Sequence, residues 1–465
     1  MALPELIEIV PLDKPVRAEI TVPGSKSITN RALILAALVD GEVTLTGALW
    51  SEDTQIMVEC LQKLGFEIRV ENDSEEFCNR TITVKGLGGK IPNADTIEKP
   101  QELFVGNAGT AARFLSAFVC LGNGVYRLSG VPRMHERPQA ALFQALRELG
   151  YRVESENGND KLPARIFGKH NFQFLQKVIG KKNCKVSIEE SSQFASALLL
   201  CAKVGGWKIE VIGENEEESP YVAMTSKMLE TFPNSGGKFQ IEPDASSGSY
   251  ILAAAWLQIE EQSKERMLLA RKLIKPNIWT NLKELTLIEV RNWPKSGWQR
   301  DEDFTIYFKP FSGAIPAEIS RNHDLADSIM TAIVLAPLNS DNCKFVKFTD
   351  LGRLRVQETE RVIALRTELT KCGAKVVEEG DTLTVWPSQL HGAEIETYND
   401  HRMAMCFAIL GLKIPGIKIK NPACVKKTFP NFFQKLVASP PLGLGATILD
   451  VKSGRKLEFK ELFAF

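Results

Sequence analysis

Apolar and polar positions follow one recurring order along the chain. A short apolar stretch reads as a strand, a turn carries polar residues, and a helix rich in Ala and Leu follows. A second strand, a second helix ending near a glycine, and a third strand complete the unit. The ends of the second helices align best. Leu61-Gln62-Lys63-Leu64-Gly65-Phe66 matches Leu146-Arg147-Glu148-Leu149-Gly150-Tyr151 and Leu369-Thr370-Lys371-Cys372-Gly373-Ala374. Each glycine predicts a left-handed cap before the next strand.

The starts of the first helices recur too. They are Gly24-Ser25-Lys26, Gly106-Asn107-Ala108-Gly109-Thr110, Ser191-Ser192-Gln193, Asp244-Ala245-Ser246-Ser247, the run from Asp324 to Asp327, and Asn399-Asp400-His401. Small apolar residues follow each, as in Ala111-Ala112 and Ala253-Ala254-Ala255, so buried, closely packed helices are expected. Similar units recur in any α/β protein, but six at comparable spacing point to a repeat fold. The expected division lies near Glu242-Pro243: a first domain over 25–242, and a second over 1–24 plus 243–438. The stretch 256–310, with Trp279, Trp293 and Trp298, is the least regular. The tail 439–465 reads as a C-terminal extension outside the repeat.

Composition narrows the class. The chain has 465 residues, 44% apolar and 25% charged, with 57 basic and 57 acidic side chains. That suits a soluble multidomain protein and argues against a general nucleic-acid or membrane-surface binder. Nine cysteines without a CxxC pair suggest buried free thiols in a reducing compartment. The five histidines show no metal-ligand spacing, so no metal is expected. No apolar run reaches the roughly 20 residues of a membrane span. The N-terminus resembles neither a signal nor a transit peptide, and a cytoplasmic location is expected.

Candidate chemistry is anionic recognition. Pro23-Gly24-Ser25-Lys26-Ser27-Ile28-Thr29-Asn30-Arg31 runs from a Pro-Gly turn into a helix. Free N–H groups, the dipole, Lys26 and Arg31 meet there, and Ser25 or Ser27 can cap the helix or grip an oxyanion. Further basic clusters are Pro132 to Pro138, Arg353 to Arg361, Asp400-His401-Arg402-Met403, and Lys426-Lys427-Thr428. Each alone reads as a solvated charged face; their common place in the repeat raises them. Six equivalent helix starts, three in each half, could converge on a cleft for a substrate with several negative charges. Asp327 and Glu358, each expected at a helix start, are the candidate acid–base pair; an N-cap or a dipole-offsetting role is the simpler alternative for each. Gly86-Leu87-Gly88-Gly89 reads as a loop.

These motifs together resemble the 3-phosphoshikimate 1-carboxyvinyltransferase (EPSP synthase) family of enolpyruvyl transferases, over about residues 8–436. The carrying motifs are Pro23 to Arg31, Leu103 to Ala111, Pro132-Arg133-Met134, Ser191-Ser192-Gln193, Asp244-Ala245-Ser246-Ser247, Asp400 to Ala404, and Lys427-Thr428-Phe429-Pro430. The resemblance implies an α/β fold of two similar domains, each of three repeated βαβαβ-type units in an inverse α/β-barrel-like arrangement, with a cleft between them. It implies transfer of the enolpyruvyl group of phosphoenolpyruvate to the 5-hydroxyl of shikimate 3-phosphate, in chorismate biosynthesis, with no cofactor. Partners are then two small molecules, with no nucleic acid or membrane, on a monomer.

By motif, Lys26, Ser27, Arg31, Ser191, Ser192, Gln193, Tyr221, Asp327, Arg353 and Gln357 are expected at shikimate 3-phosphate. Lys26, Asn107, Gly109, Arg133, Gln193, Arg361, Arg402 and Lys427 are expected at phosphoenolpyruvate. Asp327, Glu358 and Lys26 are the expected catalytic residues. Gly109 and Ala111 imply that glyphosate enters the phosphoenolpyruvate site. The chain departs from the family where Gln357 replaces a common Lys, Arg353 a common Asn, Phe114 a common Pro and His135 a common Lys; Ser219 stands near the usual Ser-x-Pro-Tyr serine. A UDP-N-acetylglucosamine enolpyruvyltransferase, or a non-catalytic anion-binding homologue, are the alternatives. The former family carries a Gly-Ala-Lys-Asn motif and a reactive loop cysteine, which have no match here.

Overall fold

The computed structural model describes residues 3–93, 96–169, 182–213, 219–258, 288–308, 315–339 and 344–464. The chain forms two compact units, Met1–Val22 with Pro243–Phe465, and Pro23–Glu242. Trp279 and Glu218 lie outside the described residues.

Three four-stranded sheets have one order and one pattern of directions. In space the strands run Gln101–Phe104, Val125–Ser129, Ala164–Phe167, Val153–Ser155; the first pair is parallel and the other two pairs antiparallel. The same holds for Glu318–Ser320, Val346–Thr349, Thr382–Trp386, Lys375–Glu379. It holds again for Gly237–Gln240, Asp40–Leu49, Asn79–Leu87, Ile68–Asn72. Here the last strand of the unit completes the first repeat. Gly86 and Leu87 are therefore strand residues and not loop. A Cβ on Gly86 would lie 2.2 Å from the Val39 carbonyl oxygen, so only glycine fits.

A fourth sheet corrects the reading of the tail. Its order is Glu394–Ile395, Ile417–Lys420, Leu6–Val10, Thr447–Asp450, with the same parallel, antiparallel, antiparallel pattern. The C-terminal strand holds the edge place that Val153–Ser155 and Lys375–Glu379 hold elsewhere. Strand Thr447–Asp450 of the tail thus belongs to the repeat architecture. Among the described residues, each unit also holds one parallel strand pair: Asn183–Ser187 with Lys208–Ile212, and Ile288–Val290 with Ala18–Ile20.

The three glycine-ended helices close alike. The Gly65, Gly150 and Gly373 N–H groups bond to the carbonyls of Gln62, Arg147 and Thr370. The next N–H groups reach back to Leu61, Leu146 and Leu369. The glycines have φ of 94°, 89° and 91°, which a side chain tolerates poorly.

The helices named in the sequence as buried form the cores. Every residue of Gly109–Phe118 and of Ile329–Leu335 is buried, and all but one of His401–Gly411. Helices apolar all round are interior helices. Hydroxyls join three of them: Ser249, in the helix over 245–258, lies 2.9 Å from Thr331, and Thr331 lies 3.7 Å from the Cys406 sulfur. The eight described cysteines are free and buried. Burial pushes the Cys60, Cys184, Cys372, Cys406 and Cys424 thiols up to about 12, so they pack as small apolar groups.

Candidate active site

Each unit carries one charged cluster at the starts of its buried helices. In the unit containing residues 243–464, the cluster centres on Asp327. Its carboxylate accepts from Arg402 Nη2 at 3.0 Å and from Arg321 Nη2 at 3.3 Å, with Arg361 Nη1 at 4.0 Å. Burial alone would raise its pKa. The Arg402, Arg361 and Arg321 guanidiniums outweigh that, and the carboxyl is held well below its ordinary range. Asp327 is not an N-cap, as its place in the sequence suggested: the helix is Ile329–Leu335, with Ser328 at the N-cap position.

Glu358 also differs from expectation. It does not open a helix. The helix begins at Arg361, and the Glu360 side chain caps it by accepting from the Ile363 N–H. Glu358 instead faces the cluster, where Oε2 accepts from Arg361 Nη2 at 2.8 Å and Oε1 pairs with Lys427 Nζ at 3.1 Å.

Arg361 is held from behind. Fully buried Asp400 accepts from its Nε at 2.7 Å and its Nη2 at 3.3 Å, and also caps helix His401–Gly411 through the Arg402 N–H at 2.9 Å. Gln357 Oε1 accepts from Arg361 Nη1. A lysine, common at this position in the resembled family, has no acceptor to offer Arg361. Tyr398 and Asn399, just before Asp400, have φ of 55° and 56°. Such backbone is rare for a bulky residue and marks a turn fixed by its surroundings. The Tyr398 hydroxyl donates to buried Glu368 at 2.7 Å. His401 is buried, neither ring nitrogen has a hydrogen-bond partner among the described residues, Asp400 Oδ1 lies 3.8 Å from Nδ1, and burial drives its pKa well below the usual histidine value.

In the other unit, Lys26 Nζ pairs with buried Asp53 at 3.1 Å. Ser25 holds the N-cap position of helix Lys26–Leu38, but its hydroxyl makes no cap bond there. Arg31 is 2% exposed and braces helices. It donates to Thr225 Oγ1 at 2.8 Å, Ser196 Oγ at 3.1 Å, and the Ser27 and Tyr221 carbonyls at 2.9 and 3.4 Å. Its guanidinium also lies over the Phe114 ring, 5.4 Å from the centroid. Ser191 and Ser192 are buried, and Ser191 caps the helix through the Gln193 N–H. Gln193 Oε1 accepts from Arg113 Nη1 at 2.7 Å.

Arg133 turns outward and pairs with Glu136 at 2.5 Å on the surface. Arg137 is the inward cation: it donates to the Asn107 carbonyl at 3.2 Å, and a Cβ on Gly109 would lie 2.6 Å from its guanidinium. Arg353 is half-buried in the turn Gly352–Val356.

Several members of these clusters escaped the sequence reading. Asp53 reads as ordinary first-turn charge in Ser51-Glu52-Asp53-Thr54, and nothing local marks it. Arg113 lies within an apolar helix. Arg137 was visible within a basic run but not separable from Arg133. Arg321 precedes the Asp324–Asp327 run without a recognisable motif. Among the described residues no group of His, Cys, Asp and Glu could hold a metal, and no helix is long and apolar enough to cross a membrane.

Comparisons with known proteins identify the family. The family model described as EPSP synthase (3-phosphoshikimate 1-carboxyvinyltransferase) matches residues 11–436. A 3-phosphoshikimate 1-carboxyvinyltransferase of Trichormus variabilis is 37% identical, covering 93% of this chain and 98% of its own. One from Opitutus terrae is 35% identical over 94% and 98%. In fold, the chain is similar to the EPSP synthase of Acinetobacter baumannii, with a TM-score of 0.64 at 20% identity, covering 95% and 99%. It is also similar to an enolpyruvyl transferase of Streptomyces tendae, with a TM-score of 0.60 at 14% identity, covering 98% and 99%. With two repeat-built units, matching helix starts and a family model spanning nearly the whole chain, this protein belongs to the EPSP synthase family.

Proposed function

We propose that the chain transfers the enolpyruvyl group of phosphoenolpyruvate to the 5-hydroxyl of shikimate 3-phosphate, with Asp327 and Glu358 as its proton-transfer groups. The observation that carries these roles is the interleaving of the two carboxylates with Arg321, Arg361, Arg402 and Lys427. Phosphoenolpyruvate brings a phosphate and a carboxylate. Arg361, Arg402 and Lys427 are assigned to it, and by motif so are Lys26, Asn107, Gly109, Arg133 and Gln193. The Arg133–Glu136 pair is exposed and worth at most about 1 kcal/mol, so it yields readily to an anion. Ser27, Arg31, Ser191, Ser192, Gln193, Tyr221, Arg353 and Gln357 act on the acceptor side, Arg31 by bracing the helices that carry Ser27, Ser192 and Tyr221.

The chemistry follows from charge. Glu358 gives a proton to the methylene carbon of phosphoenolpyruvate, leaving the adjacent carbon electron-poor. The acceptor 5-hydroxyl attacks that carbon, and Asp327, which its cations keep ionised, takes the hydroxyl proton. The tetrahedral adduct then loses phosphate by breaking its C–O bond, and the proton taken by Asp327 leaves with the phosphate, which returns Asp327 to its ionised state. The methyl proton returns to Glu358, and the enol ether forms. One carboxylate cycles a carbon-bound proton and the other serves as base, a division that different partners permit.

The test is product analysis. Phosphoenolpyruvate is supplied with shikimate 3-phosphate, and separately with UDP-N-acetylglucosamine. Phosphate and the enol ether should appear with the first acceptor only; an enolpyruvyl nucleotide sugar would reverse the assignment.

A further inference from the structure

We propose that Asp301 is a positioning residue for Asp327, fixing the backbone on both sides of it and so setting where its carboxylate stands. The inference rests on the reading of Asp327 as the acceptor-side base. Asp301 lies in the turn Arg300–Asp303 and is 4% exposed. Its Oδ1 accepts three hydrogen bonds: from the Ala326 N–H at 2.8 Å, the Ser328 N–H at 3.1 Å and the Ser328 hydroxyl at 2.7 Å. Residues 326 and 328 bracket Asp327. The other oxygen, Oδ2, accepts from the Ser246 hydroxyl in the first turn of the helix over 245–258. Two residues earlier, Gln299 accepts from the Ala245 N–H at 3.1 Å and donates to the Pro243 carbonyl at 2.9 Å.

One short segment thus closes the starts of two buried helices and ties them together. Ser328 occupies the N-cap position of Ile329–Leu335 but makes no cap bond of its own. Its hydroxyl goes instead to Asp301. A local serine cap would satisfy these N–H groups without burying a charge, and an unpaired buried carboxylate is costly. The charge acts here as well as the shape: Asp301 adds to the negative field that favours the Arg402 guanidinium, which grips Asp327. The same carboxylate therefore holds the loop and supports the cation on which Asp327 rests.

The test is a pair of cycles on kcat and on KM for both substrates, with thermal unfolding alongside. Asp301→Asn keeps one acceptor oxygen but loses the charge and the bond from Ser246. A misplacement of about 1 Å can cost about 10²-fold. The expected result is a kcat lowered by that order, with each KM within about threefold. Ser328→Ala removes one of the three bonds to Oδ1 and is expected to lower kcat by about fivefold, the scale of one hydrogen bond. If Asp301 acts through Asp327, neither change lowers kcat further in an Asp327→Asn background. Multiplying effects in that background would overturn the proposal, as would unchanged kcat in Asp301→Asn. Should Asp301→Asn fail to fold, the Ser328→Ala cycle decides by the same criteria. Near-normal kcat in Asp327→Asn alone would instead remove the underlying reading of Asp327.

Discussion

Asp327 and Glu358 lie against the same guanidinium. Arg361 gives Nη2 to Glu358 at 2.8 Å and presents Nη1 to Asp327 at 4.0 Å. Beyond that shared cation their partners differ: Arg402 and Arg321 for Asp327, Lys427 for Glu358. Asp400 holds Arg361 in place from the buried side. Two carboxylates around one fixed cation, each with cations of its own, form a site able to give two proton-transfer groups separate duties.

Glu358→Gln should abolish most turnover and spare binding. The amide keeps the shape and can still accept from Arg361, yet it cannot deliver a proton. Loss of a general acid–base group costs about 10²–10⁴ in rate. Calorimetry of both substrates beside a turnover assay reads the two effects apart. Near-normal turnover would strip Glu358 of its role.

Asp327→Asn should change stability in a pH-dependent way. The folded carboxyl lies well below its ordinary value of 3.8. Its contribution is therefore present above that value and is lost as pH falls through the folded one. The variant should be less stable than the parent by about 2 kcal/mol at pH 7, the scale of a charged hydrogen bond. The gap should hold down to about pH 5 and narrow below about pH 4. Urea unfolding across this range measures it, and a gap that widens in acid would contradict the sign.

His401 adds a second acid limb of the same sign, at higher pH. It is buried neutral, so the unfolded chain binds the proton more readily below the ordinary value of 6.5. Folding stability should then fall with pH below that point, by up to about 1.4 kcal/mol per pH unit from this group. His401→Gln should flatten the decline between pH 6.5 and 5. An unchanged slope would mean that His401 is not the group responsible.

Much of this is legible in the sequence, for a physical reason. Glycine-ended helices are local: Gly65, Gly150 and Gly373 each close bonds within five residues, so sequence alone marks them. Basic runs likewise announced Arg361, Arg402 and Lys427 as a class. Their pairing was not local. Arg402 and Asp327 meet only because two buried helices start side by side. Strand Thr447–Asp450 joins Leu6–Val10 from the other end of the chain, so the tail read as an appendage. Asp301 reaches Ser328 across 27 residues from the least regular stretch, where no periodicity pointed to it.

Gly109→Ala separates fold from binding. The new methyl would meet the Arg137 guanidinium at 2.6–2.7 Å, and that flexible side chain moves more easily than backbone. The thermal midpoint should hold or rise slightly, since Ala suits a helix better than Gly by up to about 1 kcal/mol. The KM for phosphoenolpyruvate should rise about tenfold, as for one weakened charge-assisted bond of about 1.5 kcal/mol. Glyphosate should inhibit the parent competitively with phosphoenolpyruvate, and this variant less. Kinetics with an unchanged KM and unchanged inhibition would show that Arg137 and Gly109 do not bear on that substrate.

The most direct measurement is phosphate release from phosphoenolpyruvate by the purified protein, with and without shikimate 3-phosphate, in the parent, Asp327→Asn and Glu358→Gln. The expected result is release that depends on the acceptor in the parent and falls at least about 10²-fold in both variants. Release without the acceptor, or undiminished release in either variant, would contradict the assignment of these two carboxylates to the reaction.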